Sequence, residues 1–235
     1  MLINFLILFV LAIIVLKTPV IGKYVKIINT LIHEIGHALM AIVTRGSVGK
    51  IQLFANTEGA AWTSNRFWIG RFLTSIAGYP FASIMGFVFC YLITKQSPIN
   101  IDFSFRSINI DLSVSGFDMT IYILILFLVI SLVFWVRNLY GFFWMITFTA
   151  LFGFILWLNN PFITENVVIF IVAVIVIEAF TTTIDIVMLS FKTPHNAGDA
   201  KNLAEATYII PAQVWGIVFL LQAIYFGVKS ILLFI

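Results

Sequence analysis

The chain has 235 residues, of which 62% are hydrophobic and only 10% charged, with a formal net charge of +3. Its mean hydropathy is +1.11. This composition excludes an ordinary soluble domain and describes a polytopic membrane protein, and the small, scattered charge with no basic stretch argues against nucleic-acid binding.

Residues 2–16 form an uncharged apolar run, followed by Lys17, Lys23 and Lys26. No basic segment precedes the run and no small-x-small cleavage pattern follows it. It reads as a retained membrane anchor rather than a signal peptide, although it is short for a span. The three lysines favour a cytoplasmic loop, but Arg45, Lys50 and Arg66 fall on the opposite side if every segment spans, so charge leaves the orientation open.

The second helix, about 26–44, carries the stretch that organises the chain, Asn29-Thr-Leu-Ile-His-Glu-Ile-Gly-His-Ala-Leu-Met-Ala41. Within it stands His33-Glu34-x-x-His37. Residues four apart share a helix face, so both imidazoles can meet one metal ion. Glu34, turned part of the way round, can reach a water in the metal's open position as general base. A carboxylate and two imidazoles among Leu31, Ile32, Ile35, Ala38 and Leu39 are costly without a partner, and zinc would supply one. Gly36 costs a helix about 1 kcal/mol, and its use would be to admit a neighbouring helix or a substrate backbone.

Two extended runs follow, Val48–Ala55 and Ala60–Thr63, flanking the turn-type tetrapeptide Asn56-Thr-Glu-Gly59. They predict a β-hairpin over about 48–63, beside the metal helix. Its edge can pair with an unwound peptide, which makes Gly59 a substrate-binding candidate. The same residues equally describe an ordinary surface hairpin.

Residues 67–94 form the third span, broken by Gly78-Tyr79-Pro80, because proline removes a helix hydrogen bond. Cys90 lies in this run; alone in the chain, it has no disulfide partner and no nearby thiol, and it reads as packing. Residues 95–118 are the longest polar interval. Apolar residues alternate there with a period of two, and the phase flips near Arg106-Ser107, which predicts a small extramembrane β element with a bend or bulge. Runs 119–136 and 139–158 are spans four and five, separated by Arg137-Asn138. Span six, about 162–190, holds Glu178 and Asp185, and span seven, about 209–234, starts with Pro211 in its first turn. The predicted fold is a single membrane-embedded domain over 1–235. It is all-α and polytopic, with about six to seven transmembrane helices, the hairpin near the metal site and the short extramembrane β element.

Two histidines do not close a catalytic zinc site, because a third protein ligand is needed with water as the fourth. His195, Asp199, Glu178, Asp185, Glu58 and Glu205 are the candidates. The polar island Pro194-His-Asn-Ala-Gly-Asp-Ala-Lys-Asn-Leu-Ala-Glu205 puts Asp199 ahead of Glu178 and His195. Asp199 could instead cap the helix that it begins. Glu178 and Asp185, seven apart, share a helix face; buried acids in a span are functional candidates by default, and these could also bond Thr181–Thr183.

His33-Glu34-x-x-His37-Ala38, a glycine-bearing hairpin, Gly78-Tyr79-Pro80 and the late Gly198-Asp199-Ala200 with Leu203-Ala204 together resemble the site-2 protease family of intramembrane zinc metallopeptidases. The similarity is to the small bacterial branch without PDZ or CBS domains. It covers most of residues 27–216, and His33–His37 is its specific part. The family's third ligand is an aspartate in a Leu-Asp-Gly motif; here Gly198-Asp199-Ala200 stands in that place. The resemblance implies one Zn²⁺ held by His33, His37 and Asp199, with Glu34 as general base. It also implies Asn196 as a residue holding substrate backbone. The expected activity is hydrolysis of peptide bonds in transmembrane or membrane-associated protein substrates, as in regulated intramembrane proteolysis. The expected location is a bacterial plasma membrane, multi-pass, with the lipid bilayer and a membrane protein substrate as partners. Two other classes fit the residues. One is a non-catalytic scaffold or transporter with a structural metal, using Glu178, Asp185 and the broken third span. The other is a zinc protease of the prenyl-protein-processing type, with Glu178 in place of Asp199.

Overall fold

The structure, a computed structural model, describes residues 2–95, 97–105 and 108–235. Helix α1 (Leu2–Leu16) turns into α2 (Ile21–Val43), which leads to the strands β1 (Ser47–Leu53) and β2 (Gly59–Ser64). Helix α3 (Trp68–Thr94) precedes a second hairpin, β3 (Ile99–Phe105) and β4 (Ile108–Val114). Then come α4 (Gly116–Ile130) with a π-helical turn at Ser131–Trp135, α5 (Leu139–Leu158) and α6 (Pro161–Lys192). A 3₁₀ turn at Pro194–Asn196, the short α7 (Gly198–Thr207) and α8 (Ala212–Leu232) complete the chain.

Five helices are long and apolar enough to cross a membrane, and a sixth span is possible if α1 and α2, bent by 108° at their junction, act as one. The expected six to seven spans therefore become five or six among the described residues. Helix α1 has 15 residues, about 22 Å of rise against a hydrocarbon core of about 30 Å. Helix α2 is long enough, but it carries Lys23, Lys26, Glu34 and two histidines.

The core gathers around α2 and α6. Ile27, Ile28, Leu31, Ile32, Ile35 and Ala38 of α2 pack with Val172, Ala173, Val174 and Ile175 of α6, all buried. The outer helices α1, α5 and α8 keep large apolar side chains exposed, the surface expected against lipid. Helix ends follow the sequence: Asn160 caps α6 by accepting from the Ile163 N–H at 3.3 Å, with Pro161 in the first turn.

The third span differs from its expected form. Helix α3 runs unbroken through Gly78-Tyr79-Pro80, with Pro80 inside it. One missing backbone bond does not stop a helix that is packed against α2, α6 and α8. The β3–β4 hairpin is antiparallel, with Ile99 opposite Val114 and Phe105 opposite Ile108. The predicted bend at Arg106-Ser107 lies outside the described residues.

The first hairpin sits against the motif helix, and its two edges are treated differently. On β1, Ile51 bridges Val136 in parallel, and its carbonyl accepts from the Arg137 N–H at 3.2 Å. The Asn138 side chain then holds both backbone groups of Leu53, accepting from its N–H at 3.2 Å and donating to its carbonyl at 2.6 Å. Residues 136–138 thus strap the outer edge of β1. The outer edge of β2 has no strand beside it among the described residues.

Candidate active site

On α2, Asn29, His33 and His37 recur at intervals of four and lie on one face. The His33 and His37 Nε2 atoms are 3.0 Å apart, and each lies 3.1 Å from the Asp199 Oδ2. Ligand atoms bonded at about 2.0–2.2 Å around a tetrahedral ion stand about 3.3 Å from one another, so this triangle matches one face of such a site with little adjustment. The donor set, two imidazoles and a carboxylate, suits zinc and leaves the fourth position open.

Outer contacts fix the ligands. The His37 Nδ1–H donates to the Thr74 carbonyl at 2.6 Å, which leaves Nε2 with its lone pair toward the ion position. Thr74 is held in turn. Asn65, in the link between β2 and α3, donates to the Thr74 hydroxyl at 2.8 Å and accepts from the Thr44 hydroxyl at 2.8 Å. This relay ties the end of α2 to the start of α3. Tyr79 lies edge-on to the His33 ring, with centroids 4.5 Å apart.

Asp199 reaches the histidines because α7 is short and anchored. Gly198 adopts φ +47°, a conformation that favours glycine, and it turns the chain from the 3₁₀ turn into α7. Ala200 and Leu203 of α7 are buried beside Trp215 and Phe219 of α8, and the Trp68 indole donates to the Ala206 carbonyl at 2.6 Å. Asp199 makes no capping bond; its carboxylate is directed to the imidazoles.

Glycines bring the backbones close. A Cβ on Gly78 would stand 2.5 Å from His33 Cε1 and from His37 Nε2, so α3 presses bare backbone onto the ligand rings. A Cβ on Gly36 would meet Phe81 at 2.7 Å and the Ala77 carbonyl at 3.0 Å; the neighbour it admits is α3. A Cβ on Gly59 would lie 2.6 Å from both Glu34 Oε1 and Thr30 Cγ2, which places the first residue of β2 directly on the Glu34 carboxylate.

A cavity of about 480 Å³ opens over this group, lined by Glu34, His33, His37 and Asp199 and by β2 from Gly59 to Ala61 and at Thr63. Its size is that of a small-molecule or peptide site. Glu34 is 5% exposed. Of the other acids considered, Glu58 lines this cavity without joining the ligand group. Glu178 pairs with Lys26 at 3.1 Å and accepts from Thr181 at 3.4 Å. Glu205 pairs with Lys201 at 3.6 Å, and Asp185 and His195 are exposed. Asn196, on the 3₁₀ turn, is exposed and does not line the cavity; Asn29 and Asn202 do.

Sequence reasoning missed Asn65, Thr74, the 136–138 strap, Asn29 and Asn202. The one local signal was Arg137-Asn138, polar residues that the sequence offers only as the separator of spans four and five.

A multi-pass helical fold that buries a His-Glu-x-x-His face against a distant aspartate, beneath a strand edge, defines the class of membrane-embedded peptidases. The chain belongs to the Peptidase M50B-like family, whose model matches residues 6–229. Among curated proteins and among solved structures nothing matches it significantly.

Proposed function

We propose that the protein is an intramembrane zinc metalloendopeptidase that cleaves transmembrane or membrane-associated protein substrates. The observation that carries this reading is the meeting of His33 Nε2, His37 Nε2 and Asp199 Oδ2 within 3.1 Å, from residues 166 positions apart in the chain (199 − 33). These three side chains would hold the ion, and a bound Zn²⁺ supplies Lewis acidity that polarises the scissile carbonyl and makes water a nucleophile near neutral pH. Glu34 accepts the proton of the attacking water as its oxygen bonds to the carbonyl carbon. Glu34 then returns the proton to the amide nitrogen as the C–N bond breaks, leaving a carboxylic acid and an amine; the acid's proton passes to the amine to give carboxylate and ammonium.

A helical substrate cannot be attacked directly, because its amides are shielded by their own hydrogen bonds. The unstrapped edge of β2 offers an extended segment the partners that it loses on unwinding, with Gly59 keeping that edge close to Glu34.

The test uses the purified protein reconstituted in lipid with a membrane-anchored reporter. Glu34→Gln should retain one zinc per chain and lower cleavage by about 10²–10⁴-fold. His33→Ala and Asp199→Ala should lose the zinc. Full activity in a zinc-loaded Glu34→Gln protein would refute the mechanism. Full zinc in both ligand variants would refute the site.

A further inference from the structure

Asn29 is 3% exposed, and its Oδ1 has no hydrogen-bond partner among the described residues. A buried, unanswered amide oxygen costs about 1–3 kcal/mol and calls for an explanation. The residue stands one turn before His33 and lines the same cavity. On the helix it is turned by about 100° from Thr30. Thr30 faces the hairpin, donating from its hydroxyl to the Thr57 carbonyl at 2.9 Å. Asn29, Thr182 of α6 and Asn202, one turn beyond Asp199, line the same cavity, and Asn202 also lies near Thr63 and Ser64 at the end of β2.

An extended peptide has two hydrogen-bonding edges. A strand added to β2 satisfies one; the other would face α2, α6 and α7 with its N–H and C=O groups unmet, which is costly where water is scarce. A primary amide carries both a donor and an acceptor, the complement of one peptide unit. We infer that Asn29 is a substrate-positioning residue that holds the peptide edge that β2 leaves unpaired, with Asn202 on the far side of the ligand group. Asn29 lies about 6 Å from His33 and Asn202 about 5 Å from Asp199 by helix spacing. At about 3.3 Å per residue of extended chain, each amide would grip backbone one or two residues from the scissile bond. This inference rests on the protease reading given above.

The two are separated by comparing two hydroxamates on the reconstituted, zinc-loaded protein. Acetohydroxamate reaches only the ion, whereas a tripeptidyl hydroxamate also lays backbone along the cavity. Binding is read by displacement, together with Tm. Asn29→Ala should weaken the tripeptidyl compound about three- to tenfold, leave acetohydroxamate unchanged and leave Tm unchanged or raised, since the substitution removes a buried group without a partner. Asn29→Gln, with the same amide on a longer stem, should recover part of the loss. Unchanged tripeptidyl affinity in Asn29→Ala overturns the inference while the protease reading stands. A loss of Tm with both affinities falling together also overturns it and makes Asn29 structural. Failure of the wild type to bind either compound sinks the protease reading itself.

Discussion

Substituting Gly78 by alanine sets two physical effects against each other. In a helix interior the exchange is normally favourable by about 0.5–1 kcal/mol, because alanine restricts the unfolded chain and covers the backbone. Here the new methyl would lie 2.5 Å from His33 Cε1 and His37 Nε2 and 2.6 Å from His33 Nε2. Ordinary carbon contacts need about 3.5 Å, so the rings or the helices must separate by about 1 Å. The His37 ring cannot swing aside without giving up its 2.6 Å bond to the Thr74 carbonyl. Ligand distances in a metal site tolerate about 0.2 Å, and disturbed ligand orientation typically costs 10–100-fold in affinity. Gly78→Ala should therefore weaken zinc binding by at least about tenfold and cleavage by about 10²-fold, and the metal-free protein should also melt lower, because overpacking the helix contact costs about 1–3 kcal/mol, more than the helix gain. Zinc content after dialysis against a competing chelator, with Tm in the presence and absence of metal, gives both quantities. Gly153→Ala on α5, where nothing lies within 4 Å of the added Cβ, is the control and should leave activity and zinc unchanged. A Gly78→Ala protein with wild-type zinc affinity and turnover would show that α3 does not press on the ligands.

Asn65→Ala removes two hydrogen bonds of the Thr44–Asn65–Thr74 relay; it should cost about 1–3 kcal/mol of stability by denaturant melting and lower zinc affinity about tenfold through His37. Lys26→Met strands the buried Glu178 carboxylate and should destabilise by about 3 kcal/mol, whereas Lys26→Met with Glu178→Leu should recover most of that, with zinc content unchanged in both; zinc lost from the double variant would return Glu178 to the ligand set. Removing zinc with a chelator should lower the wild-type Tm, because free ion at about 1,000 times Kd stabilises by about 4 kcal/mol, and should leave the Tm of Asp199→Ala unmoved.

What the sequence carried was periodicity and chemistry that a few neighbouring residues express. The i, i+4 spacing of His33 and His37, the first hairpin and the apolar runs follow from local rules, but the bounds shift: the turn closes between Phe54 and Glu58 with Gly59 already in β2, and the second helix starts at Ile21 rather than near 26. Contacts between distant segments had no such signal. Nothing near residue 51 indicates that Val136 and Asn138 will occupy the edge of β1. Nothing near Asn65 indicates that it will join Thr44 to Thr74. The Gly78-Tyr79-Pro80 reading shows the limit from the other side: a local breaker was weighed by its effect on an isolated helix, and packing against three neighbours overrode it.

The departures from local preference are themselves informative. Gly36 and Gly78 each cost their helix about 1 kcal/mol, and a chain free of other demands would fill both positions. Both lie where α2 and α3 close on each other, one beside His37 and one over both ligand rings. Gly59 completes the pattern by bringing a bare strand edge onto Glu34. Three elements thus forgo side chains at the one place where two imidazoles, an acid and an open strand edge converge, and each missing side chain would intrude on that place or on the helix contact that shapes it. Helix stability alone would not select that arrangement. The proposed binding of an extended backbone beside β2 would account for the bare strand edge at Gly59, while Gly36 and Gly78 set how closely α3 approaches α2 and the two imidazoles.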